Sequence, residues 1–505
     1  MRSGSVRISR LIDGAGLKPR QVTGTDVEIV DLFLDSRDVT PWSLFCALRG
    51  LETDGARFVP DAVRRGARAV LSENPRPHGL DREIAWIEVG DARRATALVA
   101  REWHGRPDES MTLVGVTGTN GKTSVVYLVE AFARAAARPA GRIGTVSHAF
   151  ADREWSTERT TPEAPDLYRL LGAMRDAGVE IAAMEVSSHA LALSRVEGAT
   201  FAAAAFLNLS RDHLDFHGDM SGYFAAKASL IEGLQADATA VLSADRPEIA
   251  RLADRTAADV VTFGRAEGAT VRVIEERCAI DGTEVVLEAP GGPYAVRTPL
   301  AGRFVPDNLA AAGACAIGAG LPMDAVIAGA LELRTIPGRM EQVDAGQPFA
   351  VVVDYAHTEE ALRRLLSGIR EMAPGRVLLV FGCGGDRDRG KRPAMGRAAA
   401  EIADRIFVTS DNPRSEDPLA IVEQIRAGVE SVPGAAERTR TSVDRAEAVH
   451  EAIREARAGD VVVVAGKGHE TTQTFDDRVE TFDDREVARR ALAAAGYFGG
   501  CRAGA

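Results

Sequence analysis

The chain has 505 residues, and a prior of about 150 residues per domain gives about three domains. It carries 61 Lys+Arg against 73 Asp+Glu, a net charge of −12. That balance argues against a general nucleic-acid coat or an anionic membrane surface, while leaving room for a local basic site. A hydrophobic fraction of 45% and a charged fraction of 27% exclude a disordered chain, and dispersed Gly and Pro exclude collagen and low-complexity tails.

Cys46, Cys278, Cys315, Cys383 and Cys501 lie far apart with no CxxC pair, which argues against a zinc ribbon or a disulfide framework and suits a reducing cytosol. The opening MRSGSVRISRLIDGAG lacks the apolar core of a signal peptide. No stretch approaches the ~18 apolar residues of a membrane helix. The expectation is a multidomain cytoplasmic enzyme with neither nucleic-acid nor membrane partners.

The first region, to about residue 107, reads as a small α/β domain. Asp35-Ser36-Arg37 follows the apolar run Ile29–Leu34, then come LFCAL (Leu44–Leu48), a helix-like stretch ending at Arg68, and the strands AVLSE (Ala69–Glu73) and IAWIEV (Ile84–Val89). The polar, Pro-containing Arg106-Pro107-Asp108 punctuates the boundary. The second region, 108–335, opens on the continuous apolar run MTLVGV (Met111–Val116), suited to a buried parallel strand. IAAMEV (Ile181–Val186), AAAAFLNL (Ala202–Leu209) and ATAVLSA (Ala238–Ala244) repeat the pattern with helical stretches between them, which predicts a mostly parallel sheet. Alternating strands near Thr270–Ile274, Glu284–Leu287 and Tyr294–Thr298 read as an antiparallel addition, and a helical pair Asn308–Gly318 and Met323–Leu333 closes the region. After Ile336-Pro337-Gly338 the third region, 336–505, alternates again: FAVVVDY, RVLLVFG, RIFVTSD and DVVVVAG predict a second, Rossmann-like doubly wound domain.

Between the strand at Met111–Val116 and a helix lies Gly115-Val116-Thr117-Gly118-Thr119-Asn120-Gly121-Lys122-Thr123-Ser124. Glycines let the backbone curl N–H groups toward phosphate oxygens, the helix N-terminus adds positive potential, Lys122 adds a charge and Thr123 offers a hydroxyl to Mg²⁺. Gly115 lies six residues before Gly121, one more than in the usual phosphate loop. MEVSSHAL (Met184–Leu191) and NLSRDHLDFHG (Asn208–Gly218) end two further strands, and Glu185 and His213 there supply an oxygen and a nitrogen donor for Mg²⁺. For Glu185 taken singly, a helix cap or a surface ion pair is the commoner reading. His217 receives no role beyond a structural hydrogen bond. YFAAKASL (Tyr223–Leu230) follows on a helix; spacing alone makes Lys227 an exposed helical lysine. No guanine-binding NKxD motif is present, which disfavours a GTPase.

TGTNGKT, with IPGRME (Ile336–Glu341), DYAHT (Asp354–Thr358), GCGGDRDRGKR (Gly382–Arg392), DNPR (Asp411–Arg414) and AGKGHE (Ala465–Glu470) in order, resembles the Mur ligase family, whose members activate a carboxylate with ATP. The motifs span residues 35 to 470. The resemblance implies that Gly118 to Ser124 with Asn308, Arg339, Asp354 and His357 bind ATP, the last three from the third region, with a hinge near Ile336–Arg339. Lys122, Glu185, His213 and Lys227 are implied as catalytic. Two Mg²⁺ ions are implied on Thr123, Glu185, His213 and Lys227, the lysine carbamylated by CO₂ because an ammonium beside Mg²⁺ would be repelled.

Within the family the chain resembles the branch that adds the third peptide residue. Leu34, Ser36, Leu51, Glu52 and Thr53 match uridine-contacting positions, and Thr160, Thr161, Ser187 and Arg195 match positions that bind a UDP-N-acetylmuramoyl dipeptide. Plain packing and a solvated charge at Arg195 are the alternatives. Arg387, Asp411, Asn412, Pro413, Arg414, Gly466 and Glu470 match a meso-2,6-diaminopimelate pocket, with Arg414 suited to the distal carboxylate and Glu470 to the distal ammonium; a turn with a helix cap is the other reading of DNPR. The implied enzyme is a monomer acting on small molecules. Against the family pattern stand Trp42, Arg159, Leu193, Val305 and Glu359, which leave open a relative that adds lysine or another amine; a catalytically silent nucleotide-binding regulator is the reading from another class.

Overall fold

The structure, a computed structural model, describes residues 4–50, 53–157 and 159–499. The chain divides into two compact units. The first takes the chain up to Ile274 with Leu287–Tyr294 and Asp307–Gly329; the second takes Glu275–Val286, Ala295–Pro306 and the chain from Ala330 onward.

In the first unit a small sheet runs Gln21–Thr23, Ala85–Glu88, Ala67–Ser72, Ser43–Ala47, Asp31–Phe33. All its neighbours pair in parallel except the first two. The expected helix to Arg68 instead ends at Arg64, and the strand begins at Ala67. Gly66 intervenes at φ 105°, where an added Cβ would stand 2.8 Å from Pro41 Cα, so the chain reverses there on a conformation only glycine adopts cheaply.

The larger sheet of this unit runs Arg153–Ser156, Ser147–Phe150, Ala140–Ile143, Ile181–Glu185, Thr112–Thr117, Ala203–Phe206, Thr239–Ser243, Asp259–Gly264, then Val271 onward. From Ala140–Ile143 to the start of the Val271 strand the pairing is parallel. The antiparallel hairpin Ser147–Phe150 with Arg153–Ser156 was not expected from sequence. Strands Ile181–Glu185 and Ala203–Phe206 are buried at every residue, which is why their sequences read as continuous apolar runs. The helix Met220–Glu232 is capped by Asp219, whose Oδ1 accepts from Gly222 N at 2.8 Å. It buries Tyr223, Lys227, Leu230 and Ile231, a helical stripe that carries the lysine inward.

The second unit holds a sheet in the order Glu341–Gln342, Ala350–Asp354, Val461–Ala465, Val377–Phe381, Arg405–Val408, Thr439–Thr441. It is parallel apart from the first pair. Alternate strand residues feed two cores. Val352, Leu379, Phe381 and Val463 lie in one, and Val351, Val353, Leu378, Val380, Val462 and Val464 in the other, as the two-residue period of a strand covered on both faces requires. On the first face the helix Glu359–Met372 lays down Leu362, Leu365, Leu366 and Ile369. The strand Thr439–Thr441 and the hairpin Thr472–Thr474 with Val479–Thr481 are additions to the expected pattern. No helix among the described residues is long and apolar enough to cross a membrane, and Cys46, Cys278, Cys315 and Cys383 form no disulfide; Cys501 lies outside the described residues.

Helices Lys391–Ile402 and Pro418–Glu430 approach each other through facing glycines. A Cβ at Gly428 would meet Pro393 O at 1.9 Å, and one at Gly396 would meet Ile425 O at 2.2 Å. Gly428→Ala should therefore destabilise the second unit by about 1–3 kcal/mol, read as a lower urea midpoint. A midpoint equal to the parent's would show that the helices separate freely.

Candidate active site

The strand Thr112–Thr117 lies between Ile181–Glu185 and Ala203–Phe206, so the loops following all three emerge side by side. Gly118 and Gly121 bend the phosphate loop at φ 149° and 89°, and the helix Lys122–Ala135 starts directly after it. Asn208 clamps this loop: its Oδ1 accepts from Asn120 N at 2.9 Å, its Nδ2 donates to Asn120 O at 3.0 Å, and its carbonyl accepts from Thr119 N at 3.0 Å. Thr119 Oγ1 accepts from Ser210 N at 3.0 Å and stands 3.2 Å from the Tyr223 hydroxyl. Asn308 also adjoins the loop, since a Cβ on Gly121 would fall 2.6 Å from its Oδ1. Val305, at the usual asparagine position, is buried.

Two lysine side chains converge on one carbonyl. Lys122 Nζ donates to Gly118 O at 2.9 Å and to Thr119 O at 2.9 Å, and Lys227 Nζ donates to Gly118 O at 2.8 Å. Lys227 is 1% exposed and lies 4.6 Å over the Tyr223 ring. Burial, reinforced by Lys122, pushes its pKa well below the ordinary lysine value. His213, in the left-handed region at φ 51°, has its pKa lowered by burial and by both lysines, with Asp212 opposing. His189 packs against it at 4.8 Å between ring centroids and is lowered to about 4, chiefly by burial. The His217 ring and Ser188 Oγ share a hydrogen bond of 3.0 Å, the structural role expected of it. Thr123 is buried.

Glu185 is buried, and both its oxygens accept from Thr145, Oε1 from the backbone N–H at 2.8 Å and Oε2 from the hydroxyl at 3.0 Å. Thr161 Oγ1 donates to Glu185 O at 2.9 Å and accepts from Ser187 N at 3.1 Å. Thr160 and Thr145 hydroxyls lie 3.0 Å apart. Arg195 donates to Thr161 O at 3.1 Å and pairs with Glu163 at 2.7 Å. Burial lowers its pKa, with Glu163 opposing. Thr160, Thr161, Ser187 and Arg195 are thus one connected group. In the small sheet, Ser36 Oγ donates to Asp61 Oδ2 at 2.9 Å, Leu34 packs against the core, and Thr53 O accepts from Gly50 N at 2.9 Å. Leu51 and Glu52 lie outside the described residues.

In the second unit Arg339 lies 4.8 Å over the Tyr355 ring. Asp354 accepts from Met340 N at 2.8 Å and Ala356 N at 2.9 Å; burial raises its pKa, with Arg339 opposing. His357 Nδ1 is 2.8 Å from Tyr355 O. Asn412 Nδ2 donates to Glu470 Oε2 at 2.8 Å, and Lys467 Nζ reaches both Asn412 Oδ1 and Glu470 Oε2 at 3.1 Å. Arg414, at φ 53°, donates from its backbone to Thr474 O at 3.0 Å and from its guanidinium to Gly385 O at 2.7 Å. Gly466 at φ 119° abuts Asp411, whose Oδ2 would lie 2.6 Å from an added Cβ. Pro413 O lies against Gly385, while the Arg387 guanidinium donates to Asp386 O at 3.3 Å. Beneath them Arg445, fully buried with Asp484, donates to Ala465 O at 3.0 Å and Ser410 O at 3.3 Å.

Family models match in three consecutive pieces: Mur ligase family, catalytic domain, over residues 28–104; Mur ligase middle domain over 116–316; and Mur ligase, glutamate ligase domain, over 338–468. The chain belongs to the Mur ligase family. It is 45% identical to a UDP-N-acetylmuramoyl-L-alanyl-D-glutamate--2,6-diaminopimelate ligase of Solibacter usitatus, with 93% of this chain and 94% of the relative covered. A protein of the same name from Geobacillus kaustophilus is 43% identical, with 93% and 96% covered. A solved structure of a ligase of that name superposes with a TM-score of 0.70 at 30% identity, covering 98% of this chain and 100% of that one. The MurF ligase from Thermotoga maritima in complex with ADP shares the fold, with a TM-score of 0.61 at 20% identity over 92% and 96% of the two chains.

Within this Mur ligase, sequence reasoning passed over Asn208, Thr145 and Lys467. Asn208 opens NLSRDHLDFHG at the end of the predicted strand Ala202–Leu209, which is a usable signal. Thr145 acts through Glu185 and Thr160, and Lys467 through Glu470 and the distant Asn412. A fourth residue, Glu416, ties the two loops of the second-unit pocket. It accepts from Arg392 Nη1 at 2.9 Å and Nη2 at 2.8 Å, and from Asp386 N at 2.7 Å. Arg392 is the main cause that lowers the Glu416 pKa from 4.5 to about 2. A carboxyl lowered in the folded state stabilises it above its unfolded pKa and loses that contribution as pH falls toward the folded value. Urea unfolding measured from pH 5 to pH 2 should therefore show a shallower acid loss for Glu416→Gln than for the parent. Equal slopes would remove Glu416 from the acid response.

Proposed function

We propose that this Mur ligase joins an amine of meso-2,6-diaminopimelate to the D-glutamyl carboxylate of UDP-N-acetylmuramoyl-L-Ala-D-Glu, using ATP and forming the tripeptide precursor of peptidoglycan. The observation that carries the amine assignment is the joining of the DNPR and AGKGHE loops through the Asn412–Glu470 hydrogen bond. That contact puts a guanidinium, Arg414, and a carboxylate, Glu470, on linked loops. The far end of diaminopimelate bears the complementary carboxylate and ammonium, whereas lysine lacks the carboxylate. The names of the relatives support the same substrate.

ATP phosphorylates the glutamyl carboxylate, giving an acyl phosphate with a good leaving group. The amine attacks the acyl carbon, and the tetrahedral intermediate collapses to amide and inorganic phosphate. Lys122, anchored beside the loop at the Gly118 and Thr119 carbonyls, offers its charge to the nucleotide phosphates, while the loop N–H groups held in shape by Asn208 cradle them. Thr160, Thr161, Ser187 and Arg195 orient the dipeptide, and Leu34, Ser36, Leu51, Glu52 and Thr53 grip the uridine. Asn308 adjoins the loop as an ATP contact; Arg339, Asp354 and His357 are assigned the same ligand, and Arg387, Asp411, Pro413 and Gly466 line the amine pocket.

Mg²⁺ is supported by the donor types at the phosphate-loop edge, the Glu185 carboxylate at the end of its strand and the Thr123 hydroxyl in the first turn of the helix. No group of three or more His, Cys, Asp and Glu among the described residues is arranged for a metal, and Mg²⁺ uses few protein carboxylates when phosphates complete its shell. Thr123, Glu185, His213 and Lys227 as N6-carboxylysine would hold two ions. When bound, they supply the charge that lets an anionic phosphate approach an anionic carboxylate. Burial and the neighbouring Lys122 lower the Lys227 pKa, which favours the neutral amine, the form that adds to CO₂. Domain limits at 1–107, 108–335 and 336–505 are supported by the spacing of the three family-model matches. We assign the enzyme to the cytoplasm as a monomer acting on small molecules.

Phosphate release in the presence of UDP-N-acetylmuramoyl-L-Ala-D-Glu and ATP should require meso-diaminopimelate and exceed that with lysine, ornithine or the other diaminopimelate stereoisomers. A preference for lysine overturns the amine assignment, and release indifferent to any amino acid overturns the ligase reading. Lys227→Ala should lose about a hundredfold in kcat, with partial recovery when a short carboxylate such as acetate is added. Full activity in that variant would remove the carbamate.

A further inference from the structure

Lys467 is wholly buried, yet the motif it belongs to has supplied roles only for its neighbours Gly466 and Glu470. It sits on the turn after the strand Val461–Ala465. Gly466 and Gly468, at φ 119° and 54°, fold the turn tightly, and Glu470 N donates to Lys467 O at 3.0 Å. The two side chains therefore lie beside each other, the lysine inward at 0% exposure and the glutamate outward at 32%. A buried ammonium needs acceptors, and Lys467 Nζ finds two, Asn412 Oδ1 and Glu470 Oε2, each at 3.1 Å.

These contacts determine how the pocket is wired. Asn412 Oδ1 also accepts from Thr474 N at 3.0 Å, so the amide oxygen faces Lys467 and its Nδ2 has to donate to Glu470 Oε2. Oε2 thus carries two donors, while Oε1 accepts from none of the described residues. Arg445 is paired with Asp484 in the layer below and acts on Asp411 and Glu470 only through space, so Lys467 is the cation in direct contact with Glu470.

We infer that Lys467 is the specificity-determining counter-ion of the amine-donor pocket. It offsets the charge of Glu470 so that an ammonium alone gains little there and a ligand must also present a carboxylate to Arg414. This rests on the amine-donor reading above and goes beyond it by assigning the rejection of lysine to a residue inside the protein. Selectivity here works against the wrong ligand. The Lys467 charge repels the terminal ammonium of either ligand but attracts the distal carboxylate that only diaminopimelate carries, so the net penalty falls on lysine.

The test compares kcat/KM for diaminopimelate and for lysine in the full-length parent and in Lys467→Met. A parent that shows no preference for diaminopimelate refutes the underlying amine assignment before the variant is considered. Given that preference, Lys467→Met should raise kcat/KM for lysine about tenfold and lower the discrimination ratio by at least as much, with KM for ATP and for the UDP-dipeptide within twofold of the parent. A general packing defect would depress both amino acids together. A lysine value that is unchanged, or that falls in parallel with that for diaminopimelate, overturns the inference. Where Lys467→Met fails to fold, Lys467→Gln, which retains a donor toward Asn412 without the charge, is judged by the same ratio. Failure of both to fold makes Lys467 a structural residue and also overturns it.

Discussion

Parallel pairing of Thr112–Thr117 with Ile181–Glu185 on one side and Ala203–Phe206 on the other is the constraint on which the first-unit site depends. Parallel neighbours end on the same edge of a sheet, and ligands of open α/β sheets bind outside the carboxyl ends of the strands. Here that edge gathers the phosphate loop, the Glu185–Ser187 segment and the Asn208–Ser210 segment. The apolar residues of these strands take up both faces of the sheet, so the chemistry is confined to the loops. The second unit repeats the arrangement: Asp354 ends the strand Ala350–Asp354, and Asp411 and Gly466 follow the strands Arg405–Val408 and Val461–Ala465, all in the parallel part of the sheet.

Both edges concentrate charge in ways that need a ligand of defined chemistry. At the first, Lys122 and Lys227 meet at the Gly118 carbonyl, and the Lys122 charge on a loop that opens a helix suits phosphate. At the second, cations and carboxylates alternate: Arg414, Glu470 and Lys467 share short bonds with loop carbonyls and with Asn412. A zwitterionic end group matches such alternation better than a simple anion does. The net charge of −12 describes neither place, because it averages over exposed ion pairs that have no part in binding.

Much of this was legible along the chain. The buried strands announced themselves as runs such as VLLVF and VVVVA, because a strand covered on both faces has no polar period to show. The phosphate loop was legible because glycine positions, the lysine and the strand-loop-helix order are all local. Local turn geometry was read less well: Gly66 ends a helix four residues before the expected point, and the hairpin Ser147–Phe150 with Arg153–Ser156 went unforeseen, since its short strands lack both a long apolar run and a strong turn signal. Lys227 shows where spacing misled. Read singly it is a surface lysine, but Tyr223, Leu230 and Ile231 place it on the buried stripe of its helix.

By itself, the sequence determined the α/β class, the family and the order of the chemical motifs, because apolar runs, glycine turns and charged strand ends are properties of neighbouring residues. Only the tertiary structure decided which polar groups act together. Asn208 with Asn120, Glu185 with Thr145, Lys227 with Gly118, and Lys467 with Asn412 are separated by 88, 40, 109 and 55 positions. No local pattern records such distances. They close because burying the strands brings their ends together, and a polar group carried into that buried edge must find its partner there.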